Sequence, residues 1–202
     1  MQNKAVFSQN AVMKLTTPSL EFFKPTLATT LAIVLAWLVS VRPAQAGYTV
    51  TLQQVGPNVV ATGSGPLDLT GLFLVGTGHF CCENPEIHPS VIIRTGATSS
   101  SVDMYYRVSN GLGSFGSGSD TAASSGSGDM VGVATVVFGN RLAILSVPTG
   151  YVSGTPLSDS ATYNNATLAS LGVTPGTYVW TWGTGANQNF TLQIPPTLPW
   201  AL

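Results

Sequence analysis

The chain has 202 residues, enough for one domain behind a leader, and only 7 % of them are charged, against about 25 % in an ordinary soluble domain. Residues 47–202 carry three arginines, seven acidic residues and no lysine. They lack the number and clustering of cations that phosphate neutralisation needs, which excludes nucleic acid as a partner. A polar but nearly uncharged surface suits an extracellular or matrix setting.

Thr26 to Val41 (TLATTLAIVLAWLVSV) is uncharged and follows Lys14 and Lys24; Arg42-Pro43 breaks it, and Ala44-Gln45-Ala46 follows. A basic region, a short apolar core and an A-x-A site predict a secretory signal peptide over 1–46, cleaved after Ala46. The apolar core is about 16 residues, short of the roughly 20 that span a bilayer, so no stable membrane span is expected after cleavage. An uncleaved N-terminal anchor is the alternative. Met13, just before Lys14, offers a second start.

Tyr48 to Val55 alternates as a half-buried strand, Gly56-Pro57-Asn58 reads as a turn, and Asn58 to Thr62 resumes extended character. Gly63-Ser64-Gly65-Pro66 reads as a further turn, and Leu67 to Val75 as a third strand bulged at Gly71. Gly76 to Pro89 is irregular. Ser90 to Thr95 and Ser101 to Val108 are short strands. Asn110 to Asp129 is a Gly/Ser tract with too few apolar residues to form core, expected as a long surface loop or flexible insert. Met130 to Phe138 and Arg141 to Val147 form a hairpin about Gly139-Asn140. Tyr151 to Asn164 is expected as a loop. Asn165 is expected to cap a short helix over 166–171 that Gly172 stops. Thr177 to Trp182 and Asn189 to Ile194 close the chain as a hairpin. About nine short strands with frequent turns predict an all-β, antiparallel β-sandwich or jelly-roll-like domain over 47–194, followed by a Pro-rich tail over 195–202.

Tyr151-Val-Ser-Gly-Thr-Pro-Leu-Ser158, Ala166-Thr-Leu-Ala-Ser-Leu-Gly172 and Thr174-Pro-Gly-Thr-Tyr-Val-Trp-Thr-Trp-Gly183 resemble bacterial secreted proteins of the PEP-CTERM, exosortase-sorted group. Ser124-Ser-Gly-Ser-Gly-Asp129 and Thr51-Leu-Gln-Gln-Val-Gly-Pro-Asn-Val-Val60 fit the same proteins. The resemblance implies a secreted or envelope protein of a Gram-negative, exopolysaccharide-producing bacterium, and carries no catalytic signature. Such proteins end in Pro-Glu-Pro, an apolar segment and basic residues. Here Pro195-Pro196 lacks the Glu and six residues follow, so release as a soluble product is expected.

Cys81 and Cys82 are adjacent: an oxidised vicinal disulfide after export is one reading, two ordinary thiols the other. With His79 and His88 they have zinc-type donors, but neighbouring side chains of an extended chain point apart and the usual C-x₂₋₄-C spacing is missing. No serine sits in a G-x-S-x-G elbow. Among the acids only Asp103, in a strand near Arg107, stands out for carboxylate chemistry, and an exposed acid is the commoner outcome. Asp120 and Asp129 flank the Gly/Ser tract but supply two carboxylates where calcium takes six to eight oxygens. The alternation of Tyr178, Trp180 and Trp182 favours a core face over a sugar-stacking platform. The expectation is a non-enzymatic exported protein, without cofactor, of the envelope or exopolysaccharide matrix, with exopolysaccharide or other matrix components as partners. A carbohydrate-binding module using exposed aromatics is the alternative.

Overall fold

A computed structural model of the protein describes residues 47–78, 84–98, 101–108, 113–138 and 140–196, side chains at 136–141 excepted. The leader through Ala46, Cys81 and Cys82, and His79 lie outside the described residues.

The described chain is all-β, with thirteen strands in two mostly antiparallel sheets that stack as a sandwich about one apolar core. The first sheet takes β1 (Tyr48–Val55), β2 (Asn58–Pro66), β8 (Ser125–Gly128), β11 (Pro156–Tyr163), β12 (Gly176–Thr181) and β13 (Asn189–Ile194), in the order β12-β13-β1-β2-β11-β8. The second takes β3 (Phe73–Gly78), β4 (Glu86–His88), β5 (Ile92–Thr95), β6 (Val102–Val108), β7 (Thr121–Ala122), β9 (Val131–Phe138) and β10 (Asn140–Pro148), in the order β3-β6-β10-β9-β5-β4-β7. Period-2 alternation turns Tyr48, Val50, Leu52, Val59, Ala61, Phe190 and Leu192 inward from the first sheet. Ile87, Ile93, Val131, Val133, Leu145 and Val147 meet them from the second.

The three expected hairpins form: β1 with β2, β9 with β10, and β12 with β13. β1 also pairs parallel with β13, so the first and last strands lie side by side. Other expectations are corrected. Gly63 to Pro66 is not a turn; β2 runs through it, because β1 and β11 pair with it on either side. Leu67 to Leu72 is a loop, and the third strand begins at Phe73 with its irregularity at Val75 rather than Gly71. Pro156 to Tyr163, expected as loop, is β11, placed between β2 and β8.

No helix forms over 166–171; the segment is a single turn. Thr167 and Ser170 bind each other's backbone: Ser170 N donates to Thr167 Oγ1 (2.9 Å), and Ser170 Oγ donates to Thr167 O (3.0 Å). The bond to Thr167 Oγ1 caps the turn at Thr167, too close to Gly172 for a helix to propagate. Asn165 has φ 52 and gives its amide to Asn58 Oδ1 (3.0 Å), which is not the geometry of an N-cap. Gly172 does end the turn: it has φ 66, its N–H reaches Ala169 O (3.0 Å) and the Val173 N–H reaches Leu168 O (3.2 Å), the paired bonds of a Schellman motif.

The Gly/Ser tract, where described, lies at the surface as expected, but it is anchored rather than a free loop: it contributes β7 and β8 and one buried side chain. Phe115 is 1 % exposed, with its ring edge-on to Tyr178 and Trp180 at 6.0 and 6.5 Å. Phe115 N–H donates to Pro89 O and its carbonyl accepts from Thr174 N–H, both at 2.8 Å. Further on, Ala123 N–H donates to Pro85 O (2.9 Å) and Ser124 N–H to Thr162 O (2.7 Å), carrying the chain from the second sheet to the first. Few apolar residues suffice because this segment closes one side of the sandwich with backbone bonds and one aromatic plug. We therefore expect Phe115→Ala to destabilise the protein by about 3–5 kcal/mol, the cost of emptying an aromatic core position. Chemical denaturation measures it; a loss near zero would put the Phe115 ring in solvent.

Candidate functional site

Side chains with chemical potential fall into a buried polar set inside the sandwich and an exposed aromatic set at one edge. The buried set centres on Asp159. Period-2 alternation on β11 turns Leu157, Asp159, Ala161 and Tyr163 inward, so an acid takes a core position. The Tyr48 hydroxyl donates to Asp159 Oδ2 from β1, across β2. Gly63 lies between them: a Cβ there would sit 2.0 Å from the Tyr48 oxygen and 2.5 Å from Asp159 Oδ1. Asp159 Oδ1 itself finds no hydrogen bond. Burial is the main force on this carboxyl and pushes it up to about 6; Tyr48 pulls the other way and the charge of Asp129 adds to the rise. Burial, then the Asp159 charge, pushes the Tyr48 phenol up, so it stays protonated and donates.

Asp103, Asp68, Asp129 and Glu86 hold structural partners. Asp103 is buried rather than exposed; it accepts from Thr77 Oγ1 (2.6 Å) and Gly150 N–H (2.9 Å). Asp68 accepts from Thr70 N–H (2.9 Å) and Ser153 Oγ (3.3 Å), and the Thr70 bonds hold its carboxyl below the usual range. Asp129 exchanges bonds with Ser158: the Ser158 N–H donates to Asp129 Oδ2 (2.9 Å), and the Asp129 N–H to Ser158 O (3.1 Å). Glu86 pairs with Arg94, its cross-strand neighbour, whose side chain is 6 % exposed. Burial pushes the Glu86 carboxyl up, Arg94 pulls it down, and nearby Asp120 pushes it up again. The structure thus brings Glu86 and Asp120 together, but around an ion pair. Among the described residues no three of His, Cys, Asp and Glu gather as metal ligands.

Trp180 and Trp182 are buried, which removes them as a sugar platform. Trp180 meets Phe190 edge-on at 5.7 Å, and Trp182 Nε1 donates to Asp68 O (2.6 Å). Tyr178 is half-buried and gives its hydroxyl to Thr174 O (2.9 Å). A groove of about 470 Å³ beside them, lined by Pro175, Gly176, Thr177, Gln193, Ile194, Pro195 and Pro196, contains no titratable side chain.

The exposed aromatic set lies on β3 and β6, where sequence reading placed no site. Phe73 stacks on Tyr106 (centroids 5.3 Å, 25° between planes), and the Arg107 guanidinium lies over the Phe73 ring at 4.9 Å. Two bulges shape this corner. Ala143 and Ile144 on β10 face Val108 and Tyr106, which leaves Arg107 as an extra residue on β6. Leu74 and Gly76 face Tyr105 and Met104, which leaves Val75 extra on β3. Arg107 takes φ 89, a region a side chain avoids. Bulges re-aim side chains, and strained residues cluster where structure serves a function. The sequence signal was the Phe73-Leu-Val75 run beside Tyr105-Tyr106, legible as apolar but not as exposed.

Compared with known proteins, the chain matches no family model, no curated protein sequence and no solved structure.

Two outcomes follow. The folded state binds the Asp159 proton more tightly than the unfolded chain, whose carboxyl titrates near 3.9, so this group's contribution is full below about pH 4 and is lost as pH rises through about 6. Denaturation at about pH 4 and about pH 7 is expected to show an Asp159-dependent loss on the order of 2 kcal/mol, which Asp159→Asn abolishes. Second, Arg107→Gly is expected to be more stable than Arg107→Ala by about 1 kcal/mol, since only glycine relieves the positive φ. Paired denaturant midpoints read that difference.

Proposed function

We propose that the protein is an exported, non-enzymatic component of the cell envelope or exopolysaccharide matrix of a Gram-negative bacterium. The reading includes a leader cleaved after Ala46, a single jelly-roll-like domain behind it and membership of the PEP-CTERM group. One observation carries the non-enzymatic part: Asp68, Asp103, Asp129, Asp159 and Glu86 each hold a structural partner. A catalytic acid or nucleophile needs a group left free to move a proton or attack a substrate. The resemblance over Tyr151–Gly183, the leader pattern and the low charge of residues 47–202 support the location.

The test is fractionation of a Gram-negative culture producing the full chain, with N-terminal sequencing and incubation of the product with exopolysaccharide. The expected result is a chain beginning at Gly47, recovered with envelope or matrix and leaving glycans intact. Unprocessed chain confined to the cytosol, or release of sugars, overturns the proposal.

A further inference from the structure

The fold begins where the leader is read to end. Gly47 is buried, and Tyr48, the first residue of β1, is 0 % exposed. No linker separates leader from sheet: Tyr48 pairs with Phe190 on β13, and Thr49 pairs with Thr191 on one side and Ser64 on the other. Gly47 itself is clamped. Its N–H donates to Asn187 Oδ1 (3.1 Å) in the turn before β13, and the Asn187 carbonyl accepts from Asp68 N–H (2.9 Å). A Cβ on Gly47 would lie 2.3 Å from Asn189 Oδ1 and 2.6 Å from the Asn189 carbonyl oxygen, and φ 102 is a region that favours glycine. From the other side, a Cβ on Gly65 of β2 would lie 2.3 Å from the Gly47 carbonyl oxygen.

We infer that folding shields the Ala46–Gly47 bond, so that the leader has to be removed before β1 docks between β2 and β13. The inference rests on the proposed cleavage after Ala46. Hydrolysis there breaks the bond from the Ala46 carbonyl carbon to the Gly47 nitrogen; water supplies the hydroxyl of the new Ala46 carboxyl and a proton to the Gly47 amine. A peptidase takes such a stretch as an extended strand whose backbone is free to pair in its cleft. In the folded protein the Gly47 nitrogen is held by Asn187, the Gly47 backbone is not extended, and Tyr48 is tied to Asp159 in the core. Freeing residues 47–49 breaks pairings on both sides of β1 together with the Tyr48–Asp159 bond. β1 is an inner strand of its sheet, so this opening lies with the stable core elements rather than with fraying termini. Cleavage of a folded chain then tracks the small population in which β1 is out. A chain that folds first keeps its leader.

The test dilutes the full chain from denaturant into detergent micelles and adds a bacterial leader peptidase at increasing delays. Tryptophan fluorescence reads folding, and N-terminal sequencing reads the product. The cleavable fraction is expected to fall on the time course of folding, and the folded chain to be cut at least about a hundredfold more slowly than chain met at once. Gly47→Ala is expected to raise the folded-to-unfolded ratio of cleavage rates at least about tenfold, because its Cβ meets Asn189 at a positive φ. Asn187→Ala removes the acceptor of the Gly47 N–H and is expected to raise the ratio less, which keeps the test open if Gly47→Ala does not fold. Gly154→Ala, at an exposed glycine of φ 86 with open space around it, is expected to leave the ratio unchanged. Folded and unfolded chains cut equally fast after Ala46, a ratio indifferent to both seam variants, or a ratio raised as much by Gly154→Ala overturns this inference alone. Unfolded chain left uncut or cut elsewhere overturns the leader reading, and the inference with it.

Discussion

Tyr48 reaches across Gly63 to Asp159, and three strands are held in register by that contact. The tyrosine lies on β1, the glycine on β2 and the acid on β11. A shift of one residue in either pairing would turn the acid outward or bring a side chain into the space that Gly63 leaves. A buried polar group left without its partner costs about 1–3 kcal/mol. The pair therefore selects one register among the several that small residues on β2 and β11 would otherwise tolerate. The same interior position explains the raised carboxyl: burial disfavours its charge by more than the hydrogen bonding around it, the phenol's first, favours it.

That use of polar groups runs through the molecule. Asp103 ties the end of β10 to β3, Asp129 fastens β8 to β11, and Asp68 joins the loop before β3 to Ser153. With few charges in the chain, most of the described acids are consumed as fasteners between strands. The surface left for encounters is mostly neutral. Among the described residues, Phe73, Leu74, Val75 and Tyr106 gather exposed apolar surface at the corner where bulges at Val75 and Arg107 meet. A protein built this way meets partners through shape and backbone edges more than through long-range charge.

The hairpins were legible because alternation and turn residues agreed: Gly56-Pro57 between β1 and β2, Gly139 between β9 and β10, and a Gly-rich turn before β13. β11 was not, because PLSDSATY has small and polar residues at half its positions and an acid facing the core. Its place follows from partners far away in sequence, β2 and β8. The Gly/Ser tract misled for a related reason: composition reports flexibility, whereas Phe115 and the backbone bonds to Pro85 and Thr162 are tertiary facts. At 166–171 the cap falls on Thr167 rather than on Asn165, which leaves a single turn before Gly172. Among site residues, alternation correctly favoured a core role for Trp180 and Trp182. The exposure of Phe73 and Tyr106 depends on β3 being an edge, which no local pattern encodes.

The ionisation of Asp159, followed by carboxyl-carbon NMR across an acid-to-neutral titration, tests most directly whether polar groups here lock the fold. The account predicts a single transition at about 6, with the Tyr48 phenol unperturbed through the same range apart from its response to Asp159. An Asp159 transition near 4, the value of a solvated carboxyl, would contradict it, placing the acid in water and removing the contact that fixes β1, β2 and β11.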